Sequence, residues 1–242
     1  MNQRNFRTLL SLAISGLALF AFGDAEPELE LDEDKHLAGW WKFDEESGKT
    51  AEDASSHNRN GTLEGGLSFD DDSVPGRVGN ALELSGRPGA CVEVEGYKGV
   101  TGTQPRTVAA WIKTRYARGE IVAWGSDEAG KMFVFGFIRS HIGVTPQGGY
   151  LYGNSKSDDD RWHHVAVVIH PAERPNLYDS ATLYKDSEIE TIHDIGLLDL
   201  WPIDTGGGAD VRIGAGFRGI IDDVRIYDRA LSDEEIKAIA TP

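Results

Sequence analysis

The chain has 242 residues, with 24 Lys and Arg against 40 Asp and Glu, a formal net charge of −16 and one cysteine. Such acidity excludes nucleic acid and anionic membrane surfaces as partners, and disfavours polyanionic glycans unless a cation mediates. One cysteine excludes an intrachain disulfide, so the fold must rest on its core.

The first 23 residues carry Arg4 and Arg7, then an apolar run from Leu9 to Phe22 followed by small residues. This predicts a signal peptide over 1–23, because the run is short for a membrane anchor. The protein is therefore expected to be secreted, periplasmic or extracellular, with no membrane insertion after cleavage. Losing Arg4 and Arg7 and no acid leaves 22 basic against 40 acidic side chains, a net −18. Residues 24–36 are dominated by acids and read as a flexible linker.

From Leu37 every signal is β. Strands are predicted near 39–44, 81–84, 90–94, 107–114, 120–125, 132–138, 141–145, 162–169, 181–186 and 211–215, separated by turn-rich stretches that use many of the 29 glycines. Cys91 sits in one of these and reads as a small buried residue. Such spacing implies one antiparallel two-sheet β-sandwich or jellyroll over residues 37–240, with a short C-terminal helix. A longer strand over 218–227 alternates Ile220, Asp222, Val224 and Ile226 on one face with Ile221, Asp223, Arg225 and Tyr227 on the other. A carboxylate in an aliphatic row must be neutralised, hydrogen-bonded or bound to a cation. Ser232 and Glu235 form a capping-box pattern, with Leu231 and Ile236 as its hydrophobic staple, and predict the helix start.

Four ordered motifs resemble one family: Leu37-Ala-Gly-Trp-Trp-Lys-Phe-Asp44, Arg106-Thr-Val-Ala-Ala-Trp-Ile-Lys113, Trp162-His-His-Val-Ala-Val167 and the stretch from Gly219 to Ile236. The chain is identified by them as similar to LamG-like jellyroll domains of the concanavalin A-like lectin/glucanase superfamily, over roughly residues 37–240. One departure is Tyr184-Lys-Asp-Ser187, which carries serine where the family often has glycine in a hairpin.

The resemblance implies a structural calcium ion tying the opening strand to the closing one, with Asp44, Asp222 and a backbone oxygen near Asn80 as ligands. Calcium accepts such oxygen sets. Asp53 and Asn58 are weaker candidates. His163 and His164 point to opposite faces of one strand and cannot share an ion, so they read as structural, as do Trp111 and Trp162. Trp124, Tyr150, Tyr152 and Trp201 lie in or beside loops, where aromatic faces could stack on a sugar, with Asp127, Arg139, His141 and Asn154 near them in sequence.

Three functions follow. The first is a secreted, non-catalytic carbohydrate-binding or adhesion module whose partner is a glycan. The second is a protein-interaction or envelope-structural module that binds a cell-surface or extracellular protein. The third is a glycoside hydrolase of the glucanase branch, which needs two rigidly held carboxylates. Glu30, Asp32 and Glu33 superficially resemble that branch's acid strand but lie in the acidic stretch, and residues 37–240 carry no such pattern; no catalytic residue is expected.

Overall fold

The structure, a computed structural model, describes residues 30–196 and 203–241. A 3₁₀ turn at Leu31–Glu33 precedes β1 (Leu37–Trp41), β2 (Thr50–Ala51) and β3 (Gly61–Leu63). Then come α1 (Phe69–Asp72), β4 (Ser73–Pro75), β5 (Asn80–Ser85), β6 (Val92–Val94), β7 (Arg106–Lys113) and β8 (Glu120–Gly125). β9 (Met132–Ile138), β10 (His141–Thr145), β11 (Leu151–Gly153) and β12 (Trp162–Ile169) follow. The chain closes with α2 (Leu177–Ser180), β13 (Ala181–Lys185), β14 (Glu188–Ile189), β15 (Ile192–Ile195), β16 (Ala209–Ile213), β17 (Arg218–Tyr227) and α3 (Asp233–Ile239).

Two antiparallel sheets form a sandwich. The first runs β14-β13-β12-β7-β17-β5-β4, with β1 also paired to β17; the second runs β15-β11-β10-β9-β8-β16-β6-β3-β2. β17 is ten residues long. Its first half pairs with β5 and its second half with β1, while β7 lines its other edge. The opening and closing strands thus lie side by side, with Trp40 opposite Arg225 and Trp41 opposite Val224.

Inward-facing Trp41, Val108, Ile112, Trp124, Phe133, Phe135, Val167 and Ile221 fill the space between the sheets. Burying each large apolar side chain contributes roughly 1.5–3 kcal/mol, which is how the domain dispenses with disulfides. A second, smaller core lies outside the first sheet, where Leu31, Tyr184, Leu231, Ile236 and Ile239 cover Trp40, Ala166 and Tyr227. α3 starts as its sequence dictates, since the Ser232 hydroxyl accepts from the Glu235 N–H (3.3 Å) and Glu235 Oε2 accepts from the Ser232 N–H (2.8 Å).

Three expectations change, the first being that Cys91, expected to be buried, is partly exposed. The described part of the acidic stretch, residues 30–36, is docked rather than free: Asp32 pairs with Arg225 (2.6 Å), Asp34 with Arg229 (2.5 Å) and His36 with Asp228 (2.7 Å). The rest of that stretch and the whole of 1–23 lie outside the described residues.

The strict alternation of 218–227 also fails. A β-bulge falls between Asp222 and Arg225, and Asp223 takes a φ of 48°. One extra residue flips every side chain beyond it. Ile221, Val224 and Ile226 therefore face the main core, while Asp222 is turned to the outer side beside its register partner Trp111.

Candidate functional site

Two places on the outer faces bring polar and aromatic side chains together. The first is a cleft of about 560 Å³ on the first sheet, lined by Trp40, Lys42, Asp44, Trp111, Asp222 and Arg225 among others. Lys42 Nζ and the Arg225 guanidinium each stand 4.1 Å from the Trp40 ring centroid. Trp40 Nε1 donates to Asp223, whose other oxygen pairs with Arg225 (3.2 Å).

Asp222 is wholly buried. Its Oδ2 accepts from the main-chain N–H groups of Arg77 (2.6 Å) and Val78 (3.0 Å), while Oδ1 has no hydrogen-bond partner. Burial pushes its pKa up to about 7 against the pull of those two N–H groups, with Asp223 and Asp44 raising it further. Asp44 Oδ1 caps the Asn80 N–H (2.9 Å) at the end of the same 76–80 turn.

Gly76 packs against Asp222 and the Asn80 carbonyl too closely for any side chain. A Cβ there would lie 2.5 Å from the Asn80 carbonyl oxygen and 2.6 Å from Asp222 Oδ2. The oxygens here are of the kind a hard cation accepts: Asp222 Oδ1, which has no partner, the Asp44 carboxylate beside the turn and the Asn80 carbonyl. Among the described residues no three His, Cys, Asp or Glu side chains converge, so backbone oxygens or water would have to complete such a shell. Asp53 offers nothing to an ion, because its two oxygens already accept from the N–H groups of Trp40, Ser55 and Arg59 and from the Ser55 hydroxyl. Asn58 serves the same loop with a φ of 54°.

Beside Trp111, His164 is buried and held neutral, its pKa pushed down to about 3 by burial, with Arg225 adding to the effect. His163 lies on the other side of the strand, bridging Asp159 (2.9 Å) and Asp186 (2.8 Å). His163 is thus held by two carboxylates, whereas His164 Nδ1 is buried without a hydrogen-bond partner.

The second place is on the outer face of the second sheet. Ile142, Val144 and Leu151 point into the core, so His141 on β10 and Tyr152 on β11 point out. His193, from the bulge between β11 and β15, joins them. The three ring centroids stand 5.3–5.5 Å apart, with interplanar angles of 9–27°. Equal separations cannot form a column, so the rings lie as an offset, near-parallel triangle. Tyr150 adds a fourth ring 5.7 Å from Tyr152, with the Arg139 guanidinium 5.0 Å above it.

Polar groups fix this arrangement. Tyr150 donates to Asp194 (3.3 Å), which also pairs with Arg139 (3.6 Å). His193 Nδ1 meets Asn154 Oδ1 (3.1 Å), and His141 Nδ1 meets the Arg139 carbonyl (2.9 Å). Tyr152 itself is almost covered, whereas His193 and Arg139 are exposed.

The structure therefore unites Tyr150 and Tyr152 but not Trp124. Trp124 is fully buried, stacks on Phe133 at 4.4 Å and donates to the Val100 carbonyl (3.1 Å), so it is core and not a ligand platform. Its place on an inward-facing position of β8 decides that. Trp201 lies outside the described residues. The sequence reading missed His193 as a ring of this group; only the pairing of β15 with β11 reveals it.

A sequence model of the concanavalin A-like lectin/glucanases superfamily matches residues 87–237. No curated protein matches the sequence. Among solved structures, domain 4 of AbnA, a GH43 extracellular arabinanase from Geobacillus stearothermophilus in complex with arabinotriose, is similar at a TM-score of 0.61 and 18% identity, over 85% of this chain and 98% of that one. The botulinum neurotoxin serotype D ligand binding domain in complex with N-acetylneuraminic acid matches at 0.51 and 14%, over 85% of this chain and 50% of that one. Trypanosoma rangeli sialidase in complex with the inhibitor DANA matches at 0.52 and 15%, over 84% and 32%. This chain thus spans half or less of the toxin domain and the sialidase; at these identities the likeness shows the fold.

Proposed function

This chain belongs to the concanavalin A-like lectin/glucanases superfamily, and from that premise we propose that it is a secreted, non-catalytic module that binds a glycan on the outer face of its second sheet. The observation that carries the reading is the ring group of His141, Tyr150, Tyr152 and His193 with Arg139 beside it. Sugars present C–H faces to rings and hydroxyls to a few fixed polar groups, and Arg139, Asp194 and Asn154 supply the latter. A similar domain solved with arabinotriose supports a sugar ligand. Export rests on the signal pattern of residues 1–23.

Non-catalysis is supported by how the nearby carboxylates are used. Asp194 is engaged by Tyr150 and Arg139, and Glu190 accepts from the main-chain N–H groups of Asn154 (3.0 Å) and Ser155 (3.1 Å). Neither is left free as an acid or a base.

We propose in addition that Asp44, Asp222 and a main-chain oxygen at Asn80 hold a structural calcium ion. The ion would supply charge neutralisation for Asp222 and join the 76–80 turn to β17. A glycan array with the exported protein, run with calcium and with chelator, tests both readings. Wild type should bind a glycan that Tyr150→Ala/His193→Ala does not; folded wild type that binds no glycan refutes the module as proposed and favours a protein partner. Chelation should lower the melting temperature, and an unchanged value overturns the calcium site.

A further inference from the structure

The 30–36 segment and α3 cover only one end of the first sheet's outer face. At the other end lies a groove of about 560 Å³ across β5, β17 and β7, lined by Glu83, Ser85, Lys113, Tyr116 and Arg218 among others. Its strand residues face outward because Leu82 and Leu84 on β5, Ile221 on β17 and Ile112 on β7 enter the core. Arg218 stands opposite Ser85, and Ile220 separates Glu83 from Lys113.

Cations crowd one end of this groove. The Arg218 guanidinium lies 3.9 Å from the ring centroid of Tyr116, which is exposed. A Cβ built on Gly86, in the turn after β5, would lie 3.1 Å from Arg218 Cβ and 3.3 Å from Arg118 Nη2. Both arginines therefore flank that turn. Arg87, next along the chain, donates from Nε to Ser85 Oγ (2.9 Å). Arg87, Arg118 and Arg218 are exposed, and among the described residues neither they nor Lys113 forms an ion pair. The carboxylates lining the groove are mostly engaged: Asp160 pairs with Arg115 (2.6 Å) and Asp72 accepts from the Ser68 N–H (3.0 Å). Glu83 alone is left to offset Arg87, Lys113, Arg118 and Arg218.

Like charges gathered this closely repel one another, and here they do so in a chain whose net charge is −16. We propose that this groove docks an acidic segment of a partner protein, whose Glu and Asp side chains supply the missing counter-charges. Width selects the partner. Screening ends charge interactions beyond about 8 Å at physiological salt, so a narrow extended chain meets the patch alone. A membrane surface or a nucleic-acid duplex would spread over the surrounding carboxylates and be repelled. Guanidinium forks match carboxylates in pairs, and main-chain N–H groups of a peptide supply donors for Glu83. The groove is on the other sheet from the rings, and peptide docking there does not depend on glycan binding.

The test is fluorescence anisotropy of a labelled octaglutamate peptide with the exported protein in 50 mM NaCl. Binding is expected, and it should weaken about tenfold by 300 mM NaCl as screening grows. Arg118→Glu/Arg218→Glu should weaken binding at least about tenfold, because it reverses charge at the contact. Lys35→Glu/Lys237→Glu makes the same change in net charge away from the groove and should weaken binding less than about threefold. Should the arginine variant fail to fold, Arg118→Ala is read in its place, with a loss of about threefold expected. Absence of peptide binding in 50 mM NaCl, equal losses in the two charge-reversed variants, or tighter binding of octagalacturonate than of octaglutamate overturns the proposal.

Discussion

The outer faces of the two sheets have been put to opposite uses. On the first sheet the chain's own ends return: the 30–36 segment and α3 cover Trp40 and Tyr227, and Asp32, Asp34 and Glu235 pair with Arg225 and Arg229. The remaining cleft holds buried polar atoms without partners, namely Trp111 Nε1 and Asp222 Oδ1. On the second sheet no helix among the described residues lies over the rings, their polar atoms are held by neighbours, and His193 and Arg139 face solvent. The lesson is that one face spends its polar groups on holding the termini and a turn in place. The other spends them on fixing rings for something outside the chain.

The contrast can be broken most forcefully at Asp222. Asp222→Ala leaves the buried N–H groups of Arg77 and Val78 without an acceptor. It should cost roughly 2–4 kcal/mol, read as a lower urea midpoint, with the glycan dissociation constant unchanged. On the other face Tyr150→Ala should do the reverse. It should weaken glycan binding about tenfold, equivalent to ~1.4 kcal/mol, and move the urea midpoint little.

A smaller effect comes from His163, whose imidazole is shielded between Asp159 and Asp186. Hydrogen bonding to Asp186 and Asp159 raises its pKa despite burial, and the two carboxylates are lowered. A raised histidine contributes stability below its unfolded value of about 6.5 and loses it as pH climbs through the higher folded value. The lowered carboxylates contribute above their unfolded value of about 3.9 and lose it in acid. Stability from this group should therefore peak between about pH 4 and 6.5, by roughly 0.5–1 kcal/mol for such half-exposed partners. His163→Gln should flatten the alkaline limb of a melting-temperature profile. The smallest change is Ser187→Gly. The two-residue hairpin Asp186–Ser187 holds both residues at positive φ, 52° and 72°, where glycine carries no penalty. A gain of about 0.5–1 kcal/mol in thermal unfolding is expected.

Much of the frame was legible in the sequence because strand period and capping are local signals. β8, β9, β10, β12 and β17 begin and end where alternation put them, and Ser232–Glu235 closes its capping box. Short β2, β3, β4, β11, β14 and β15 escaped, since two to four residues carry too little pattern to separate from a turn. The side of Asp222 was misread because a bulge inserts one residue without any sequence mark, Asp223 being as polar as its neighbour. The candidate site was half legible. Tyr150 and Tyr152 sit two apart in sequence, but His141 and His193 join them only through pairing across β10, β11 and β15. Trp124 misled because a strand end beside a loop resembles a binding position until its face is known.

The separation of the two faces is tested most directly by measuring one glycan's dissociation constant and one urea midpoint on the same three proteins: wild type, Asp222→Asn and Tyr150→Ala/His193→Ala. The account predicts that Asp222→Asn loses stability and keeps the glycan, while the ring variant keeps stability and loses the glycan. Glycan binding that vanishes with Asp222→Asn and survives in the ring variant would contradict it.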